Sequence, residues 1–437
     1  MLLIDLYELT MAQAYFEERL NDSAAFSLFV RRLPSRRNYL LACGLDDVLA
    51  FLESLHFDAE ALDYLRSLNF SAPFLEYLGQ LRFTGDVYAL AEGTPVFPNE
   101  PILEVVAPLV EAQLVESFVM NQVYLQTVLA SKAARVVEAA QGREVVDFAL
   151  RRMQGTDAAL KGARAFYIAG VDATSNVAAG QAYGLRVSGT MAHSYIQAHD
   201  DELSAFRAFA RRYPGTVLLV DTYDTLEGIR HVVQVAKELG PAFDIHAVRL
   251  DSGDLLALSV DARRLLDEAG LRSVRIFASG GLDEDSISAL VGAGAPIDGF
   301  GVGTDMGVSA DAPSLDVAYK LVEYAGRPAI KLSTGKLLLP GRKQVFRVER
   351  DDVADHDLLA RHDEAPRGRP LLHRVMSRGA RARRESLDEA RRHAADELRR
   401  LPAPIRAITP ADPPYRVDVS EQLQQDLQSA AQRVRRT

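Results

Sequence analysis

From about residue 144 the chain alternates short β-branched or aromatic runs with longer helical runs, and this alternation constrains the fold more than any other feature. The predicted strands cover 144–148, 165–168, 186–188, 217–220, 245–250, 274–278 and 299–302. Clear helices follow several of them, over 225–239, 254–269 and 283–293. Strands and helices in turn at this spacing build a parallel sheet, because parallel neighbours need a long crossover between them. Seven short strands before Thr304 favour an irregular, TIM-like α/β barrel over an open sheet. No fixed-period repeat underlies the alternation.

The flanking segments read differently. Residues 1–110 form an expected α+β domain, with helices over 5–18 and 44–55 and strands over 25–31, 83–90 and 102–105. A long amphipathic helix over 108–132 leads into the barrel domain, expected over 111–340. Residues 341–437 read as a charged helical C-terminal extension, with helices over 385–400 and 420–435. At 437 residues, 48% hydrophobic and 25% charged, the chain can bury a full core. Its net charge of -10 is spread along the chain and argues against a nucleic-acid partner. An anionic substrate is not excluded, since a site needs only local positive charge. Cys43 is the only cysteine, so no intramolecular disulfide or cysteine-based zinc site can form, and a cytoplasmic location is expected. The first residues meet charge at Asp5 without a basic lead, and no apolar run of about 20 residues occurs, so neither a signal peptide nor a membrane span is expected.

The residues after each predicted strand carry the chemistry. They are Phe148 to Gly155 with Arg151 and Arg152, Gly170 to Asn176 with Asp172 and Ser175, and Gly189-Thr190-Met191-Ala192-His193-Ser194. Then come Asp221-Thr222-Tyr223-Asp224, Arg249 to Asp254, Ser279-Gly280-Gly281 and Gly301-Val302-Gly303-Thr304. In a barrel the carboxyl ends of the strands converge on one face, where active sites sit. Any one tip is also ordinary turn and cap chemistry, and Asp254 reads first as a helix N-cap. The glycine pairs 280–281 and 301–303 let backbone approach an anion, or simply close two tight turns. Arg249 and Asp251 fall on one face of a strand, either as a plain ion pair or as a guanidinium for an anion beside a carboxylate for sugar hydroxyls. If residues 151 and 152 are extended, only one faces the site, and Arg151 is preferred. His193 is suited to proton transfer or nucleophilic work at a strand end, or is a hydrogen-bonded structural residue.

Taken in order, six motifs resemble the nicotinate phosphoribosyltransferase family: DLYELTMAQAYF at the start, RRMQG at 151–155, SNVAAG at 175–180, GTMAHS at 189–194, RLDSGD at 249–254 and GFGVGT at 299–304. The match runs from Asp5 to about Lys343. The resemblance implies a homodimer with shared active sites. It also implies transfer of phosphoribosyl from phosphoribosyl pyrophosphate to nicotinate with coupled ATP hydrolysis, giving nicotinate mononucleotide and pyrophosphate in NAD salvage. It casts His193 as a transient phosphohistidine and Asp251 as the ribose-binding carboxylate. It assigns Tyr7 (across the dimer), Phe148, Ser175, Thr190 and Arg249 to nicotinate, and Arg151, Gly280, Gly281, Gly303 and Thr304 to the phosphoribosyl substrate. Mg2+ is implied with pyrophosphate and ATP, and no protein ligand set for it is readable. The related nicotinamide enzyme has an acidic residue at the place of Ser175; its absence here favours nicotinate, with Asp172 the complication. Nicotinamide or quinolinate transfer, and a non-catalytic nucleotide sensor on the same fold, are the competing readings.

Overall fold

The computed structural model describes residues 2–332 and 338–436. It divides into two compact units, one of residues 1–131 with 314–437, the other of residues 132–313. These divisions fall elsewhere than the three segments expected from sequence, because the chain leaves the first unit and later returns to it.

The unit of residues 132–313 carries a six-stranded parallel sheet in the order Ala173–Thr174, Glu144–Asp147, Gly299–Val302, Arg275–Ala278, Ile245–Leu250, Thr216–Leu219. The two end strands do not pair with each other, so the irregular, TIM-like barrel expected is realised as a parallel half-barrel. Two predicted strands account for the difference. Residues 165–168 belong to the helix Thr156–Ile168, whose last turns are buried nearly all round. A continuous apolar run of that kind does not distinguish strand from helix by its period. Residues 186–188 form only an isolated bridge, Val187 to Thr174, hemmed by Gly184 and Gly189.

The crossover helices start where side-chain caps stop the backbone from continuing extended. Asp224 accepts from the Glu227 N–H ahead of Thr225–Leu239, and Asp254 from the Ala257 N–H ahead of Leu255–Glu268. Asp283 and Ser286 cap Glu284–Gly292 reciprocally. Thr225–Leu239 buries Ile229, Val232 and Val235, a one-sided stripe suited to packing on a sheet. These caps set the tips at 221–224, 251–254 and 279–283 at the carboxyl end of the sheet.

The other unit holds a seven-stranded sheet and a four-stranded sheet. The last hundred residues correct the expectation of a helical extension. They contribute the strands Lys343–Arg350, Val353–Arg361, Arg369–Pro370, His373–Ser377, Ala380–Arg381 and Val417–Val419, besides the helices Leu387–Arg400 and Glu421–Arg436. The charge that suggested a solvated segment is partly turned inward. Arg347 is 1% exposed and grips Asp357 with two hydrogen bonds of 3.0 and 2.7 Å, while also donating to Glu397 at 3.1 Å and to the Pro95 carbonyl at 2.9 Å. Burial and the neighbouring Asp357 hold the fully buried Glu100 carboxyl well above the usual carboxylate range.

Arg347→Met leaves Asp357 buried without its cation, while Glu397 keeps its pair with Arg369, and urea unfolding should show a loss of about 3–5 kcal/mol. Arg399→Ala, which breaks the exposed pair with Asp396, should leave the midpoint unchanged.

Candidate active site

The carboxyl ends of the parallel strands surround a cavity of about 510 Å3. Phe148, Arg151, Ser175, Thr190, His193, Arg249, Asp251, Gly280, Gly281, Gly303 and Thr304 all line it. Every residue that the resemblance assigned to the site, except Tyr7, therefore meets in one place. Tyr7 lies in the other unit, on the helix Leu6–Glu17, 48% exposed; burial together with Glu116 and Glu8 pushes its phenol up. Asp172 is not in this cavity. It sits at the amino end of the sheet, where its carboxylate accepts from the Val145 N–H at 3.0 Å.

His193 opens a five-residue helix, His193–Gln197, with its side chain 41% exposed. Its Nδ1 lies 3.1 Å from the Thr222 hydroxyl, and its Nε2 lies 3.9 Å from Asp251 Oδ2. The first is a hydrogen bond; the second is too long for one. Asp251 itself is held from both sides. The Ser279 hydroxyl donates to its Oδ1, and its backbone N–H donates to Asp221 Oδ2 at 2.9 Å.

Arg249 donates to the Met191 carbonyl at 2.9 Å, and its guanidinium lies 5.8 Å from the Phe148 ring centroid. Burial pulls its pKa down, against Asp251 and Asp221, which raise it; Arg151 lowers it further. Its Nε is a buried donor without a hydrogen-bond partner. An unspent donor in a low-dielectric wall is costly and is relieved by an acceptor from outside.

Glycine at 280 is required twice over. Its φ of +89° disfavours any side chain, and a Cβ there would lie 1.8 Å from the Asp251 carbonyl oxygen. Gly281 has φ +64° but open space around it. Thr304 opens the short helix Thr304–Val308 on the adjoining tip.

Several supporting residues were not singled out from sequence. Asp147, 2% exposed, accepts from the Ala149 N–H at 2.8 Å and from the Thr174 hydroxyl at 2.7 Å, and so ties the Phe148 tip to the Ser175 tip. Burial raises its carboxyl. Thr222, Asp221 and Ser279 stood at recognised tips, but their ties to other tips were not legible. Among the described residues no cluster of three or more His, Cys, Asp or Glu is arranged to hold a metal ion, and no helix is long and apolar enough to cross a membrane.

Fold and cavity together define an α/β protein whose binding site is built on the tips of a parallel half-barrel. Comparison with known proteins narrows the class. Residues 2–124 match the nicotinate phosphoribosyltransferase N-terminal domain, and residues 143–342 match the nicotinate phosphoribosyltransferase family. The chain is 54% identical over 429 residues to nicotinate phosphoribosyltransferase pncB2 of Mycobacterium tuberculosis, covering 98% of this chain and 93% of the relative. It is 43% identical over 371 residues to the Bacillus subtilis nicotinate phosphoribosyltransferase, covering 82% and 76%. The crystal structure of human nicotinic acid phosphoribosyltransferase superposes with a TM-score of 0.86 at 30% identity, covering 98% of this chain and 100% of that one. The chain belongs to the nicotinate phosphoribosyltransferase family.

The two cradle glycines should respond unequally to alanine. Gly281→Ala incurs only the left-handed backbone cost, about 1–2 kcal/mol. Gly280→Ala adds a backbone collision and should cost about 1–3 kcal/mol more. Equal losses in urea unfolding would contradict the close approach of Asp251.

Proposed function

We propose that this protein transfers phosphoribosyl from phosphoribosyl pyrophosphate to nicotinate, forming nicotinate mononucleotide and pyrophosphate in NAD biosynthesis. The nicotinate nitrogen lone pair attacks the anomeric carbon as its bond to the pyrophosphate oxygen breaks, and that electron pair leaves with pyrophosphate. The ring nitrogen is already a nucleophile, so positioning and electrostatics do the work.

The observation that carries this reading is the wall formed by Phe148 and Arg249. A flat aromatic base fits against Phe148, and its carboxylate pairs with the Arg249 guanidinium, whose Nε has no hydrogen-bond partner within the protein. Thr190 and Ser175 line the same cavity, and Asp172, the acid that clouded the choice between nicotinate and nicotinamide, lies elsewhere. Arg151, the 280–281 turn, Gly303 and Thr304 receive the phosphates. Asp251 holds the ribose and stabilises positive charge developing on its carbon as pyrophosphate departs.

His193 takes a phosphoryl group from ATP: the N–P bond forms as ADP leaves, and water later releases phosphate. The Thr222 hydroxyl holds the ring for this step. Mg2+ suits the cavity as a partner of substrate oxygens and water, with Asp251 and Asp305 the carboxylates within its reach. When bound, it supplies neutralisation of the pyrophosphate charge. A second copy of the chain supplies Tyr7 to each site, in a homodimer.

Purified protein should form nucleotide faster from nicotinate than from nicotinamide, and should carry acid-labile phosphate from ATP that His193→Ala lacks. Faster product from nicotinamide overturns the base assignment, and label retained in His193→Ala overturns the phosphohistidine. For the shared site, mixing inactive His193→Ala and Tyr7→Phe variants should restore part of the activity. No recovery after confirmed subunit exchange argues against it.

A further inference from the structure

The amino ends of the same strands border a second, larger cleft, about 970 Å3 in volume, which the proposed reaction does not use. Five arginines line it against four carboxylates. The carboxylates are the committed half. Glu144 pairs with Arg186 and lies 3.8 Å from Arg275. Asp172 and Asp298 accept from the backbone N–H groups of Val145 and Ile276, at 3.0 and 2.8 Å, and Asp267 pairs with Arg263. Two of the arginines are committed as well. Arg263 donates to the carbonyls of Val274 and Leu271, and Arg143 to those of Ile297 and Ala140.

The other three guanidiniums keep donors to spare. Arg272 makes no hydrogen bond or ion pair among the described residues. Arg275 has the one long contact to Glu144, and Arg186 shares that same carboxylate with a side chain 59% exposed. The unspent hydrogen-bonding capacity of the cleft is therefore weighted to donors on mobile, permanently charged forks. Such forks match phosphate oxygens in pairs. The cleft is broad and open to solvent, with room for more than a single phosphate.

We propose that this cleft is a second ligand site, for an anion of the diphosphate class, bound by Arg186, Arg272 and Arg275. It lies at the opposite ends of the strands from His193 and Asp251, and it stands whether or not the reaction assigned above is correct. The ligand is either free diphosphate or the phosphate chain of a nucleotide.

Equilibrium dialysis of the full-length protein against radiolabelled inorganic diphosphate, at about 0.15 M salt to screen loose surface binding, should reveal a class of sites sensitive to Arg272→Glu. That substitution removes no side-chain hydrogen bond or ion pair among the described residues, and an unchanged urea-unfolding midpoint should show the fold kept. It should weaken this class about tenfold or more, the scale of one lost charge-assisted contact turned repulsive. Nucleotide formation at saturating substrate should be unchanged. Arg272→Lys, which keeps the charge and loses the fork, should weaken the binding less than Arg272→Glu. Displacement of the Arg272-sensitive label by ATP supports a nucleotide's phosphate chain as the occupant; displacement by unlabelled diphosphate alone supports the free anion. Identical isotherms for wild type and Arg272→Glu overturn the proposal. If the Arg272-sensitive class persists while no nucleotide forms from any base, the reaction assignment fails and this site does not.

Discussion

Asp251 stands between two neighbouring strand tips and is bonded to both. Its Oδ1 takes the hydroxyl of Ser279, at the end of Arg275–Ala278, and its backbone N–H goes to Asp221 Oδ2, beyond Thr216–Leu219. The Ser252 hydroxyl reaches the same Asp221 oxygen at 2.6 Å. These three strands lie side by side in the sheet, so the bonds cross adjacent tips. The Asp251 carbonyl also occupies the space where residue 280 would carry a Cβ. Carboxylate and glycine turn are thus one construction: neither can be relocated without moving the other. His193, 3.9 Å from that carboxylate, faces a partner whose orientation is already set.

The formal charge of the chain, -10, says little about the field inside this cavity. Burial makes the Arg249 cation harder to keep, and Arg151 adds to the cost; Asp251 and Asp221 offset it. A guanidinium held this way keeps an enclosed Nε without a hydrogen-bond partner. In water such a donor would be hydrated and an incoming carboxylate would gain little. In a low-dielectric wall the same pairing is worth more, because less water screens it. Two nearby arginines therefore outweigh a distant excess of acids, most of which face solvent and are screened within a Debye length.

Much of the half-barrel was legible in the sequence. The strands Ile245–Leu250 and Gly299–Val302 fall where their apolar runs stop at Asp or Gly, and the helix Thr225–Leu239 begins at its Asp cap. The failures have physical reasons. Residues 165–168 are apolar on all sides because their helix is buried on most sides. In the returning C-terminal segment, Arg347 and Asp357 point inward and neutralise each other. A strand whose inward positions hold opposite charges does not show the apolar alternation by which strands are recognised.

The site was legible tip by tip because each tip is contiguous in the chain. The bonds between tips were not, since they join residues of different strands. Yet those bonds share a spacing. Asp147 to Thr174 spans 27 residues, Asp251 to Ser279 spans 28, His193 to Thr222 spans 29 and Asp221 to Asp251 spans 30. All but the His193–Thr222 tie join neighbouring strands of the sheet, and each separation is about one strand–helix repeat, which is what adjacency in a parallel sheet demands of residues at equal height. Residue identity varies from tie to tie, so no motif records them. Polar side chains one repeat apart at successive strand ends are nonetheless a readable signal once the sheet is recognised as parallel. Asp147 and Thr174 stand one repeat apart in this way, so that spacing would have singled out Asp147, which leaves no other mark in the sequence.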